Sequence, residues 1–170
     1  MNSVTSTLKN YLLLVVIITF TISVDQMTKS WARQNLKSAG TIEVVSDIFI
    51  LTYAENDGAF LGLGSNLQQP YKTILLTIFP VLLTLGALGY LLVKHHDLTR
   101  GELISIASIV GGGASNVWDR LVHAGSVTDF LNFGIGPWFR TGILNTADMS
   151  ITFGAIALVL LHFGEKKAVN

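Results

Sequence analysis

Apolar residues gather in four stretches of the chain, and the polar residues that interrupt them gather at the ends of those stretches. The first, Tyr11 to Val24, is closed by Asp25-Gln26-Met27-Thr28-Lys29 and predicts a membrane span over about 11–30. It follows a short polar start carrying Lys9, as a secretory signal would. No small-x-small site closes it, so it reads as an uncleaved span. The second, Tyr71 to Val93, predicts a span over about 71–93 and contains Pro80, which neighbouring helices or waters can accommodate. The third, Leu103 to Trp118, predicts a span over about 102–121. It is broken by Ser105, Ser108 and the run Gly111-Gly112-Gly113, small residues that let helices approach closely in lipid. The fourth, Ile143 to Phe163, predicts a span over about 142–164, with Asn145 and Asp148 near its start. Each is close to the roughly 20 residues that a helix needs to cross a bilayer.

The segments between the spans differ in kind. Thr41 to Tyr53 is rich in β-branched and aromatic residues and reads as strand, and Ala54 to Ser65 is punctuated by glycine. Together they predict a small extracytoplasmic sheet over about 41–65. The segment over about 124–141 reads as a loop or short interfacial helix, with Trp138 and Phe139 suited to the membrane surface. Lys9, the group Lys94, His95, His96 and Arg100, and Lys166 with Lys167 fall on one side of a four-span chain, which favours both termini in the cytoplasm. The expected fold is therefore an all-α membrane protein. It is a four-transmembrane-helix bundle with a small extracytoplasmic β-sheet and a short interfacial helix or loop, forming one domain over 1–170.

Composition agrees with lipid as the main solvent. Half the residues are hydrophobic and 13% are charged, against about 25% charged in soluble domains. The absence of cysteine excludes disulfides, thiol catalysis and cysteine-bound metals. A net charge of zero gives no reason to expect a nucleic-acid partner. His95 and His96 read as part of the solvated basic loop, and His123 and His162 lack partners at ligand spacing. There is no H-E-x-x-H and no G-x-S-x-G, so neither a metal nor a serine nucleophile is expected, and no cofactor is implied.

Candidate chemistry lies in the polar residues at the span ends. Asp25 and Lys29 end the first span, Asn116, Asp119 and Arg120 end the third, Asp129 follows, and Asn145 and Asp148 open the fourth. The topology puts all of them at one depth, the outer edge of the bilayer, where ionisable groups are costly unless paired and point to function. Asp129 and Asp148, joined by a segment that can fold back, could face one water. Two adjacent carboxylates in a low-dielectric site share a proton, so one can act as general base while the other polarises a carbonyl. Each aspartate alone is as well explained by a helix cap or an interfacial charge. Asp119-Arg120 could be a local ion pair, and Asp47 and Asp57 read as solvated loop residues.

Four separated motifs resemble the signal peptidase II family, the bacterial lipoprotein signal peptidases. They are Asp25-Gln26-Met27-Thr28-Lys29; Asn56-Asp57-Gly58-Ala59-Phe60; Gly111-Gly112 through Asn116, Asp119-Arg120, Gly125, Val127 and Asp129-Phe130; and Asn145-Thr146-Ala147-Asp148. The resemblance covers nearly the whole chain. It implies an aspartyl endopeptidase that removes signal peptides from diacylglyceryl-modified prolipoproteins, before the lipidated cysteine. The setting it implies is the bacterial cytoplasmic (inner) membrane, with a monomer that works among membrane lipids and is blocked by globomycin-type inhibitors. It marks Asp129 and Asp148 as catalytic. Asn56, Gly58, Asn116, Arg120 and Asn145 match substrate-holding positions, and Asp25, Lys29, Asp119 and Ala147 match supporting ones. Ser115, Leu144 and Phe60-Leu61-Gly62 depart from the family pattern and bear on substrate preference and packing. The competing expectations are a small membrane carrier that uses the carboxylates as a proton relay, and a non-catalytic binder of lipidated signal peptides.

Overall fold

The structure is a computed structural model and describes residues 2–59, 62–135 and 138–168; the departure at Phe60-Leu61 lies outside the described residues. It is mostly helical, with a small antiparallel sheet at one end. Helix α1 spans Asn2–Ala39, α2 Tyr71–Lys94, α3 Arg100–Val122 and α4 Thr146–Ala168. The strands are β1 (Ile42–Val45), β2 (Phe49–Asn56), β3 (Val127–Ile135) and β4 (Phe139–Arg140), paired antiparallel in the order β1-β2-β3-β4.

Within α1, α2 and α4 lie stretches long and apolar enough to cross a membrane, and only 11% of each is buried against the rest of the protein. Leu12, Val16 and Phe20 on α1, Leu82 and Leu83 on α2, and Val159 and Leu160 on α4 are exposed. Lys29, Asp25, Asp119 and Asn145 are buried instead. Apolar outside and charged inside is the inverse of a water-soluble domain, and it fits lipid as solvent.

Helix α3 carries too many polar residues to match its neighbours in apolarity, and it packs against all three of them. The glycine run explains how. Successive helical residues point about 100° apart, so Gly111, Gly112 and Gly113 each face a different helix. A Cβ on Gly111 would come 2.8 Å from Thr21 of α1. One on Gly112 would come 2.6 Å from the Ala147 carbonyl of α4, and one on Gly113 2.7 Å from Thr84 of α2. Three helices therefore converge on three consecutive residues. Thr99 caps α3 in a reciprocal box with Glu102. Pro80 falls just after a widened turn, Ile74–Ile78, at the first positions of the α-helical segment that follows, where a missing N–H is tolerated.

Three expectations are corrected. The helix that begins the chain does not end at Lys29. It continues to Ala39 and stops at Gly40, whose φ of +76° suits glycine. Asp25 and Lys29 are helix-interior residues because buried partners on other elements receive them. The segment over 124–141 is not a loop or helix. Val127, Phe130 and their neighbours pair with β2 to form β3, and the chain returns as β4, so the sheet has four strands rather than lying within 41–65. His95 is not a solvated loop residue. It is 3% exposed, and its ring lies against Tyr11 at 4.4 Å between centroids.

Candidate active site

Asp129 reaches the site from β3, beside Ala54 of β2. It is 1% exposed, and both of its oxygens are occupied by amide donors: Asn145 Nδ2 donates to Oδ1 at 2.6 Å and Asn56 Nδ2 to Oδ2 at 2.8 Å. Asp148 comes from the first turn of α4. The spacing of the fourth motif now has a physical reason. Asn145 caps the helix by accepting the Asp148 N–H at 2.9 Å, and Asp148 Oδ2 accepts the Asn145 backbone N–H at 3.2 Å. This is a capping box at i, i+3. It leaves the Asn145 amide group free to bind Asp129 and, at 3.1 Å, Asn116 Oδ1. Asn116 Nδ2 in turn donates to Asp148 Oδ1 at 2.9 Å.

Both aspartates line one cavity of about 560 Å³, together with Asn56, Asn116, Arg120 and Asn145. Burial pushes the Asp129 carboxyl up to about 7, and the negative charge of Asp148 adds to the rise. The two asparagine hydrogen bonds and the Lys29 charge offset part of it. Near neutral pH the Asp129 carboxyl therefore still retains a substantial share of its proton.

Arg120 does not pair with Asp119 as a local ion pair. Its Nη2 donates to the Gly58 carbonyl at 2.9 Å, and its Nε is buried without a hydrogen-bond partner among the described residues. Gly58 is held by Asn56 Oδ1, which accepts its N–H at 2.9 Å. A Cβ at Gly58 would lie 2.6 Å from the Gly62 backbone, so the turn closes only with glycine. Asp119 faces the opposite way. Its partners are Lys29 at 3.2 Å, Gln26 at 2.9 Å and the Thr128 N–H at 3.1 Å. Asp25 is bonded to Lys29 at 2.6 Å and accepts the Ala147 N–H at 2.8 Å. Every site residue singled out from the sequence thus falls in one connected polar network.

Sequence reasoning missed Gln26, Thr128 and Thr146, and it gave Ser115 no role in the site. Ser115 Oγ donates to Asp25 Oδ2 at 2.8 Å and accepts from Gln26 at 2.9 Å. Its position one turn before Asp119 on a face of small residues was the available signal. Asp57 is paired rather than simply solvated, with Lys72 as its partner. The Leu144 departure bridges β3 at Leu131, and its carbonyl accepts from the Phe130 and Leu131 N–H groups. No cluster of metal-binding side chains occurs among the described residues.

Comparison with known proteins gives a consistent result. Residues 17–164 match the family described as signal peptidase (SPase) II. The lipoprotein signal peptidase of Moorella thermoacetica is 35% identical over 159 residues, covering 92% of this chain and 96% of that protein. That of Clostridium novyi is 31% identical over 153 residues, covering 90% and 99%. A bacterial membrane enzyme solved by the in meso method at 2.3 Å superposes with a TM-score of 0.77 at 25% identity, over 92% of this chain and 91% of that one.

Proposed function

This chain belongs to the signal peptidase II family, and from that premise we propose that it is an aspartyl endopeptidase cleaving diacylglyceryl-modified prolipoproteins immediately before the lipidated cysteine. The observation that carries the mechanism is the convergence of two aspartates, Asp129 buried on β3 and Asp148 half-buried on α4, on one cavity in which amide donors orient each carboxylate. The pair shares one proton. The ionised carboxylate takes a proton from water, which attacks the scissile carbonyl, while the protonated carboxyl donates to the carbonyl oxygen. Collapse of the tetrahedral intermediate returns a proton to the leaving amine of the cysteine. Neither a metal nor a covalent intermediate is required.

The remaining residues have roles consistent with this. Arg120 and Asn56 bring donors to the cavity wall, with Gly58 setting the turn that Arg120 holds, and Asn116 and Asn145 orient the aspartates. Away from the sheet the cavity wall becomes apolar, with Pro80 from α2 and Ile151, Ala155 and Ile156 from α4. Such a wall suits the apolar part of a signal peptide or an acyl chain. The cavity lies at the sheet end rather than mid-bundle, which supports hydrolysis over a proton relay. We further place the chain in the bacterial cytoplasmic membrane as a four-span monomer over 1–170. Helix α3 is the remaining span, both termini are cytoplasmic, and the site faces outward.

The deciding experiment is cleavage of a diacylglyceryl-modified prolipoprotein by the purified protein in detergent. Wild type should cut, and globomycin should block it. Asp129→Asn and Asp148→Asn should each lose on the order of 10²–10⁴-fold in rate while remaining folded. Normal processing by either variant overturns the mechanism.

A further inference from the structure

Two buried carboxylates that this chemistry does not use grip the chain one residue before each of the two that it does. Asp25 Oδ1 accepts from the Ala147 N–H at 2.8 Å and the Thr146 hydroxyl at 2.7 Å, and Ala147 precedes Asp148. Asp119 Oδ2 accepts from the Thr128 N–H at 3.1 Å, and Thr128 precedes Asp129. Lys29 joins them, with Nζ 2.6 Å from Asp25 Oδ2 and 3.2 Å from Asp119 Oδ2. Its third contact reaches the cavity wall: Nζ donates to Asn116 Oδ1 at 2.8 Å.

That third contact has a chemical consequence. An asparagine amide has nearly the same shape either way round, but an ammonium has only donors and binds only the amide oxygen. Lys29, at the shorter distance, and the Asn145 amide, at 3.1 Å, therefore both turn Asn116 Nδ2 toward Asp148 Oδ1. The side chains of Lys29, Asp25 and Asp119 are all fully buried. Apolar residues of similar volume would serve packing as well or better than such a charge cluster. Its retention inside a lipid-facing bundle needs a reason beyond stability.

Resting on the reading of Asp129 and Asp148 as the hydrolytic pair, we propose that Lys29, with Asp25 and Asp119, is the positioning unit of the reaction. Lys29 orients the Asn116 amide onto Asp148, and the two carboxylates hold the backbone beneath both catalytic aspartates. The groups that face Lys29 are Asp25 from its own helix, Asp119 and Asn116 from α3, and the two catalytic aspartates from β3 and α4; Arg33 approaches Asp119 at 3.9 Å from the same side. The Lys29 charge favours the ionised form of Asp129. Its removal therefore moves the alkaline limb of the pH profile to higher pH.

The test uses the full chain in detergent with a diacylglyceryl-modified prolipoprotein. Lys29→Met is expected to lower kcat by about 10–100-fold, the usual scale for a supporting partner, with KM little changed and the alkaline limb displaced upward. In an Asn116→Ala background the same substitution should cost clearly less than it does alone, because the two act in series. Gln26→Leu removes a donor from Asp119 and Ser115 without removing a charge. It should show the same changes at smaller size if Lys29→Met does not fold. A readout without turnover is the infrared titration of the Asp129 carboxyl, taken as wild type minus Asp129→Asn, which should move to higher pH in either variant. An unchanged kcat, a fully additive loss, or an increase in KM alone overturns the proposal. A wild type that fails to cleave overturns the peptidase reading instead, and the infrared titration then decides the positioning role by itself.

Discussion

Asp129 holds its proton because its carboxyl is buried and has a second carboxyl as neighbour, while two asparagines pull the other way. Its value of about 7 makes activity pH-dependent in a defined direction. On the proposed mechanism, as pH rises through about 7 the shared proton is lost, and with it the group that would polarise the carbonyl. The rate should then fall about tenfold per pH unit on the alkaline side, as expected for one essential proton, measured as kcat/KM across pH 6–9. Stability follows the same sign. A carboxyl raised from 3.8 in the unfolded chain to about 7 in the folded one weakens the fold as pH rises between those values, because the folded state must give up a proton it holds more tightly. The Tm of Asp129→Asn should therefore gain on that of wild type across this window and run parallel above it. A gap that stays constant with pH would mean that Asp129 ionises normally. At this scale the aspartates and asparagines were legible in the sequence as a motif. Their pairing pattern was not, because which amide faces which carboxylate depends on three elements meeting. Lys29 shows the limit well: the i, i+4 spacing tells of Asp25 and says nothing of Asn116.

The glycine run of α3 carries the elements. Gly112→Ala puts a methyl group 2.6 Å from the Ala147 carbonyl, a backbone atom that cannot rotate away. Helices α3 and α4 must part, at a cost of about 1–3 kcal/mol for an overpacked core. Since Ala147 adjoins Asp148, cleavage should fall further than stability alone accounts for. Gly86→Ala on α2 is the control, because nothing lies within 4 Å of the added carbon. It should be neutral or stabilising by about 0.5–1 kcal/mol, and thermal unfolding in detergent compares the two. The helices were legible from their apolar runs, since lipid exposure demands uninterrupted apolar surface. Strand β3 was hidden. Its Asp129, Asn132 and Gly134 break the alternation that marks a strand, and its pairing partner β2 lies some 75 residues away in sequence. Helix α1 was cut short on paper because Asp25 and Lys29 look like an exit from the membrane when no partner can be seen.

For the molecule as a whole, the proposed topology sets the sheet and the α2–α3 turn on opposite sides of the membrane. The chain has no cysteine, so a single introduced thiol reports its side without background. Thr141→Cys, exposed beside β4, should react with a membrane-impermeant thiol reagent in intact cells. Asp97→Cys, exposed in the α2–α3 turn, should react only after permeabilisation. The reverse pattern would invert the orientation and place the cavity in the cytoplasm. One feature of α1 also bears on how such a protein is made. Asp25 and Lys29 meet at 2.6 Å within a single helix, so α1 brings its own counter-charge into the lipid before Asp119 has been synthesised. An isolated ammonium or carboxylate costs about 2.5–3.5 kcal/mol at the bilayer centre and must pass through that region on integration, whereas the pair enters close to neutral. Replacing one member alone would leave the nascent helix with a bare charge and slow its integration, long before any question of catalysis arises.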